Sequence, residues 1–443
     1  MLFVHVAVWA LAATTPEPLD VAGCVRWALE HSPKITEAEA SLREYQARLA
    51  EVESIYYPKL QALGFVAPMY TVRGSALQND VERRWKSVRD WGPYTRLEST
   101  LALPLYTFGR AEAGEDAARE RAEVERARVR EARQVLATEV RHLYFQRLFA
   151  LSMLPALKNA SGLIATAATR AEALFQQGTG EVTQVDVAKL KYVEAELGRY
   201  QLEADGGAAL ALSALKHTMG MPDDAHLALA DSKLPSPSDA APPADALAGY
   251  MRQAAQNRPE WAQLEHGERA AVSWREAEEL ANLPVLFLAG QFNWGWTPQR
   301  TDSPNPYHYD PYNQVFGGVA LGFRYDLDWA KTGARAEQAE ATSERLAALR
   351  RFAATGIPLQ VRKAFDEVDR FRSISQLGAG GVKNTRKWMT FAAAAYASGT
   401  GDARDLVEGL VAYLQAKSNH YESVLKYHLA RADLVFAVGS DTM

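Results

Sequence analysis

The sequence predicts a mainly α-helical chain in which one unit, made of long helices and a β-hairpin, occurs twice. Three observations lead to this fold class. Residues recur in register between the two halves, a seven-residue apolar spacing runs through the longest helical stretches, and four short segments alternate apolar with polar residues. The 443 residues have the length of two or three ordinary domains. The repetition favours a single duplicated unit instead.

Matching residues in the two halves identify the duplication. A constant shift along the chain places Pro33 and Pro58 on Pro259 and Pro284. A slightly shorter shift superposes two glycine-rich turns, which are Gly178, Thr179 and Gly180 in the first half and Gly399, Thr400 and Gly401 in the second.

The duplication divides the chain into four segments. The apolar residues 1–12 precede a polar Thr-Thr-Pro-Glu-Pro sequence and are typical of a signal peptide cleaved after Ala12, although no Lys or Arg begins them. The first repeat is then expected at 13–230, a Pro- and Ser-rich linker at 231–245 and the second repeat at 246–443.

Composition excludes several functional classes. The net charge of −5 lacks the basic excess of a nucleic-acid binder, and a single cysteine, Cys24, excludes an internal disulfide or a multi-cysteine zinc site. Cys24 ends a Val-Ala-Gly-Cys string that matches a lipoprotein cleavage box. Because Glu17, Pro18 and Asp20 separate this string from the apolar segment, the pattern favours a small apolar residue on the first helix.

Each repeat has the same order of elements. A first helix of about 35 residues is expected at 19–55 and 244–282, then a hairpin at about 59–106 and 285–327. A long helix follows each hairpin, turns at 178–180 or 399–401, and returns. The long helices carry a coiled-coil seam, and Pro155 and Pro358 should kink them. The seam of the first long helix consists of Leu136, Leu143, Ala150, Leu157, Ile164 and Ala171, with a partner row at Val140, Arg147, Leu154, Ser161, Ala168 and Phe175.

The alternating segments decide the compartment. In 96–105 the odd positions 97, 101, 103 and 105 are leucine, and in 285–296 and 315–325 one face is likewise apolar over about ten residues, the length of a tilted transmembrane strand. Segment 59–70 alternates more weakly. Aromatic residues lie at the outer ends of these segments, as in an interfacial girdle, at Tyr70, Trp91, Tyr94, Trp294 and Trp296.

Two interpretations of these segments remain. The first is a small soluble antiparallel sheet with one face exposed to solvent. The second is a membrane barrel closed between chains, because four strands cannot close alone and open edges do not survive in lipid. Two, three or four copies would give eight, twelve or sixteen strands.

The motifs of the two repeats resemble those of the TolC-like outer membrane efflux proteins over nearly the whole mature chain. This family implies a homotrimer with a 12-stranded outer-membrane barrel and a periplasmic α-helical tunnel, which binds a periplasmic adaptor protein and an inner-membrane transporter. The implied function is an exit channel for tripartite efflux or type I secretion. The matching motifs are Ala28-Leu29-x-x-Ser32-Pro33, Tyr56-Tyr57-Pro58-x-Leu60, Leu103-Pro104-Leu105-Tyr106-x-Phe108-Gly109-Arg110, Phe175-x-x-Gly178-x-Gly180 and Tyr396-x-x-Gly399-Thr400-x-Asp402.

The resemblance also places two sites at the turns. Small residues there allow a partner hairpin to approach the backbone, although each glycine also suits a left-handed helix end. The expected adaptor contacts are Gly178, Thr179, Gly180, Gly399, Thr400 and Gly401. The expected periplasmic gate consists of Asp405, Glu408, Tyr396 and Thr183, with Gly401 standing where the best-known gate has an arginine. Asp405 and Glu408 equally suit a solvated face at a helix N-terminus.

The sequence predicts no enzyme, no cofactor and no metal site. The nine histidines are scattered, and the Gly-x-Gly strings follow helices rather than strands, so they do not match a dinucleotide-binding loop. The alternative from another class is a periplasmic coiled-coil adaptor or scaffold protein of a transport complex. An adaptor would contain one long helical hairpin rather than two equal repeats.

Overall fold

The computed structural model describes residues 17–74, 80–178, 182–238, 240, 243, 245–302, 307 and 310–440. The signal peptide predicted at 1–12 lies outside these residues, and so do Thr179 and Gly180. The helices are α1 (Val21–His31), α2 (Pro33–Glu53), α3 (Arg110–Gln177), α4 (Gln184–Thr218), α5 (Ala246–Asn257), α6 (Pro259–Glu279), α7 (Trp329–Ser398) and α8 (Ala403–Ala437). The strands are β1 (Lys59–Arg73), β2 (Glu82–Arg84), β3 (Trp91–Tyr106), β4 (Val285–Trp296) and β5 (Gln314–Arg324).

The first helix of each repeat is broken in two, so the prediction of one 35-residue helix is wrong. Ser32 and Arg258 have extended backbones, with ψ of 131° and 123°. Each precedes a proline, whose ring disfavours the helical conformation in the residue before it. Pro33 and Pro259 then occupy the first position of a new helix, where the missing N–H costs nothing.

The long helices remain continuous. α3 has 68 residues and α7 has 70, with Pro155 and Pro358 inside them. At 1.5 Å per residue each helix is about 100 Å long. One 18-residue window of α3 meets the length and composition of a membrane span, and a third of that window is buried within the chain.

The predicted seven-residue seam of α3 is buried over most of its length. Leu136, Ile164 and Ala171 are completely buried, whereas Phe175, at the end of the partner row, is exposed. Cys24 also lies in this core, completely buried in α1, where desolvation raises the pKa of its thiol to about 12. Cys24 therefore behaves as the small apolar residue that the sequence favoured.

The strands form one antiparallel sheet in the order β2-β1-β3-β4-β5. β1, β3, β4 and β5 are the four predicted strands. β2 is a three-residue addition in the loop after β1, and it pairs with Thr71–Arg73 at the end of that strand. The register places Leu97 beside Trp294 and Leu288 beside Leu321, so apolar side chains share one face across three strands.

The chain separates into two compact units that differ from the two sequence repeats. One unit contains 1–42, 125–264 and 349–443, and the other contains 43–124 and 265–348, so each draws on both repeats. The sheet belongs to the second unit and the glycine-rich turns belong to the first. The repeat boundaries remain a proposal about how the sequence arose.

The predicted linker is attached to the helices of the first unit. The Tyr144 hydroxyl donates a hydrogen bond to Asp231 Oδ2 at 2.8 Å, and the Leu234 N–H donates to Ser152 Oγ at 2.9 Å. His428, which is buried in α8, lies 2.9 Å from the Pro235 carbonyl oxygen. These contacts fix the linker to both α3 and α8.

Candidate functional site at the helical turns

The first turn begins at Gly178, directly after α3. Its φ is +67°, a left-handed conformation that favours glycine, and its N–H donates to the Phe175 carbonyl oxygen at 3.2 Å. A Cβ at Gly178 would meet no atom of the described residues within 4 Å, so this side of the backbone is not covered by them. Thr179 and Gly180, the other two predicted contacts in this turn, lie outside the described residues.

In the second turn the two glycines have different roles. Gly399 has φ +78° and open space around it, like Gly178. A Cβ at Gly401 would instead lie 2.8 Å from the Ala395 Cβ, because the N–H groups of Thr400 and Gly401 both donate to the Ala395 carbonyl oxygen at 3.0 Å. The absence of a side chain at Gly401 therefore lets the turn pack against Ala395 at the end of α7. Gly399 and Thr400 are exposed instead.

The helices after the turns begin in a similar way. Thr183 caps α4, and its hydroxyl donates to Asp186 Oδ2 at 2.6 Å while the Thr183 N–H donates to the same oxygen at 3.0 Å. These bonds lower the pKa of the Asp186 carboxyl. Asp402 caps α8, with its Oδ1 accepting the Asp405 N–H at 2.9 Å. Asp186 was not predicted from the sequence, although Thr-x-x-Asp before a helix resembles a capping box.

Two predicted gate residues, Asp405 and Glu408, are exposed in the first turns of α8. Arg404 Nε lies 2.8 Å from Glu408 Oε1, and this pairing raises the pKa of the Arg404 guanidinium. Arg404 therefore supplies a positive charge beside the acidic residues, three positions after Gly401. The pair lies within one helix and is solvated, so its contribution to stability is small.

Tyr396 connects the ends of the two long helices. Its hydroxyl donates to the Ala167 carbonyl oxygen on α3 at 3.4 Å, and burial raises the pKa of this hydroxyl. In the opposite direction, the Arg170 guanidinium of α3 donates to the Ala397 carbonyl oxygen near the end of α7. Arg170 was not predicted, because no local pattern indicates which distant carbonyl a guanidinium will reach.

A tightly packed core lies behind these polar contacts. Its buried residues come from α3, α4 and α8, with Met389 and Ala393 of α7 packed against them. Most are alanine or leucine, which allows the helices to approach closely. The buried members are Leu157, Ala160, Ile164, Ala167, Ala168, Ala171, Leu190, Leu197, Ala403, Leu406 and Leu410.

The arrangement suits recognition and movement rather than bond chemistry. Acidic side chains lie in the first turns of α4 and α8. Two hydrogen bonds join α3 to α7 beside the alanine-rich core. Within the described part of the chain, no three His, Cys, Asp or Glu residues are placed to hold a metal ion.

The fold and this site define a class of protein: an outer-membrane channel whose strands supply part of a barrel and whose long helices turn at glycine. The chain belongs to the outer membrane efflux protein family, whose pattern it matches over residues 25–220 and 250–440. No curated protein sequence matches the chain.

Solved structures support the same fold. The outer-membrane channel OprN is 16% identical, with a TM-score of 0.73 over 95% of this chain and 90% of its own. VceC, an outer membrane protein of Vibrio cholerae, is 15% identical, with a TM-score of 0.70 over 95% and 96%. The CmeC outer membrane channel of Campylobacter jejuni is 15% identical, with a TM-score of 0.72 over 95% and 85%.

Family membership decides between the interpretations left open by the sequence. The chain is an outer-membrane efflux channel protein that extends into the periplasm, and it is not an enzyme. The predicted resemblance, the mainly helical fold with a β contribution and the outer-membrane location are confirmed. The soluble sheet and the periplasmic adaptor are excluded.

Proposed function

We propose that three copies of this chain form an outer-membrane exit channel, which conducts substrates passively from an inner-membrane transporter to the exterior in tripartite efflux or type I secretion. The observation that carries this proposal is a sheet with one exposed apolar face and unpaired edges. Val319, Leu321 and Phe323 of β5 are each more than 70% exposed on that face. Outer-membrane lipid would cover it.

The edges of the sheet support assembly from several copies. β1 pairs with β2 only at Thr71–Arg73, and no described strand pairs with the rest of that edge or with the outer edge of β5. In lipid each unpaired N–H or C=O costs several kcal/mol, on the order of a lost hydrogen bond in an apolar medium. Pairing β5 of one copy with β1 of the next satisfies both edges, and three copies give twelve strands.

The assembly is tested by extracting the chain from outer membranes in mild detergent, measuring its native mass and reconstituting it in planar bilayers. We expect a trimer that conducts ions. A monomer in detergent, or a trimer without conductance, would refute the channel.

We further propose that the turns contact a periplasmic adaptor protein through Gly178, Thr179, Gly180, Gly399, Thr400 and Gly401. Support comes from the open space around Gly178 and Gly399 and from the exposed Thr400. Thr400→Trp should abolish adaptor capture while trimers persist, because the ring would occupy the contact surface. Thr355→Trp is the matched control, since Thr355 is an exposed threonine on α7 away from the turn. Equal capture by both variants would contradict this surface.

The gate is the third part of the proposal. We assign Asp405 and Glu408 to rings of three carboxylates around the trimer axis, with Tyr396 and Thr183 holding the neighbouring helices. At about 6 Å in water, two such charges repel by only about 0.7 kcal/mol, so a closed ring is tolerable beside Arg404. The double replacement Asp405→Ala and Glu408→Ala should raise single-channel conductance. Unchanged conductance would remove both residues from the gate.

A further inference from the structure

One face of the sheet is covered at the outer ends of its strands. On β1, β3 and β4 the buried positions alternate with half-buried or exposed ones, as expected when a single face is covered. Met69 and Thr71 are 9% and 7% exposed, Tyr94 is 7% exposed and Asn293 is 5% exposed. The sequence places Tyr94 in the interfacial aromatic girdle. This prediction is wrong, because the Tyr94 ring is buried beneath the connection between β4 and β5.

The covered face is the polar one. The register places Met69 beside Gly92 and Glu98 beside Asn293, so the covered positions share a face with Arg96 and Glu98. The apolar residues Leu97 and Trp294 point to the opposite side. In a barrel embedded in lipid the polar face lines the interior, so the covering segment lies inside the mouth.

The covering segment belongs to the connection between β4 and β5. We call residues 297–302 and 310–313 of this connection the strap. Its backbone is attached to the end of β1: the Val72 N–H donates to the Gln299 carbonyl oxygen at 2.9 Å, and the Thr301 N–H donates to the Val72 carbonyl oxygen at 3.4 Å. These bonds form a short parallel bridge between Val72 and Arg300.

Side chains attach the strap to the polar face itself. The Thr71 hydroxyl donates to Gln299 Oε1 at 2.9 Å, and the Tyr312 ring packs edge-on against Tyr94, with centroids 5.4 Å apart. The Arg300 guanidinium lies 3.9 Å from the centre of the Tyr312 ring, within the range of a cation–π interaction. Both ends of the strap therefore contact the sheet.

Two glycines on the polar face make room for the strap. A Cβ at Gly295 would lie 2.6 Å from the Tyr312 carbonyl oxygen, and one at Gly92 would lie 2.0 Å from the Gln299 side-chain nitrogen. The first clash is with backbone and cannot be relieved by a side-chain rotation. Gly318, on the same face of β5, would meet nothing within 4 Å.

We propose that the strap folds into the mouth of the channel and that three straps narrow the exit. This proposal rests on the proposed channel function. The strap would thus give the exit a constriction separate from the periplasmic turns.

Conductance through planar bilayers tests the narrowing. Gly295→Ala should displace the strap and raise single-channel conductance, whereas Gly318→Ala adds the same methyl group to the same face and should conduct like the wild type. A Gly295→Ala channel with wild-type conductance would overturn the narrowing.

Cysteine labelling tests the strap independently of conduction. In detergent, a maleimide should react slowly with Asn293→Cys and quickly with Gln291→Cys, which is exposed on the same face. Adding Tyr312→Ala should accelerate only the reaction at position 293. The native Cys24 is completely buried and gives little background. Equal rates at the two positions would overturn the strap. Wild-type trimers that do not conduct would refute the channel function and the narrowing, while labelling still reports on the strap.

Discussion

Replacing Tyr396 with phenylalanine removes one hydroxyl at the joint between α7 and α3. The hydroxyl donates to the Ala167 carbonyl oxygen at 3.4 Å, which is at the long end of the hydrogen-bond range, and the ring packs against the alanine-rich core. Phenylalanine keeps the ring and this packing, so the substitution isolates the hydrogen bond.

The magnitude follows from the length of this bond. A neutral hydrogen bond contributes about 0.5–1.5 kcal/mol net, and one of 3.4 Å belongs in the lower half, about 0.5–1 kcal/mol. If all three copies break it together on opening, the closed state loses about 1.5–3 kcal/mol. At 1.4 kcal/mol per factor of ten, the open population should rise roughly 10- to 150-fold.

The assay is single-channel recording of the purified trimer in planar bilayers, comparing open probability. Arg170→Met is a second perturbation, since it removes the guanidinium contact with the Ala397 carbonyl oxygen and keeps an apolar stem. Tyr192→Phe is the control, because Tyr192 is 67% exposed on α4. If Tyr396→Phe opens no more often than Tyr192→Phe, the joint does not hold the gate closed.

Three further predictions concern stability, measured as thermal unfolding of the detergent-solubilised protein. Thr183→Ala removes the cap of α4 and the hydroxyl bond to Asp186, so it should cost about 1 kcal/mol, and an unchanged midpoint would contradict this role. Gly220→Ala should cost more than about 2 kcal/mol, because its φ is +75° and the new Cβ would lie 2.6 Å from the His31 carbonyl oxygen. Gly198→Ala, in open space on α4, should not destabilise the protein. His428 has a pKa lowered by burial, so the unfolded chain binds its proton first and stability should fall as the pH drops below the ordinary value of 6.5. His428→Gln should flatten this slope, and an identical slope in the variant would refute the assignment.

The elements whose sequences have a fixed apolar period were the most predictable part of this protein. Seven-residue spacing identified the buried seam of α3, because every seventh side chain returns to the same face of a supercoiled helix. Period-two alternation identified the four long strands and their apolar face. The breaks at Ser32 and Arg258 follow equally local rules, since each precedes a proline, and they could have been predicted from the sequence.

Other features depend on contacts that no local pattern contains. Arg170 and Tyr396 lie more than 200 residues apart along the chain, yet they join the same two helix ends. The strap is similar: Gln299 and Thr71 are 228 residues apart in sequence. Tyr94 was assigned to the girdle because an aromatic residue at a strand end suits either face, and only its register and its neighbours decide which.

By itself the sequence determined the duplicated order of helices and strands, the apolar face of the sheet and the left-handed glycines at the turns. Each of these depends on residues close together in the chain, through periodicity or a single backbone angle. The tertiary structure alone decided that Tyr396 and Arg170 join α7 to α3 and that the strap covers the polar face. These depend on which distant or alternative partners meet, and side-chain type does not specify that choice before the elements pack.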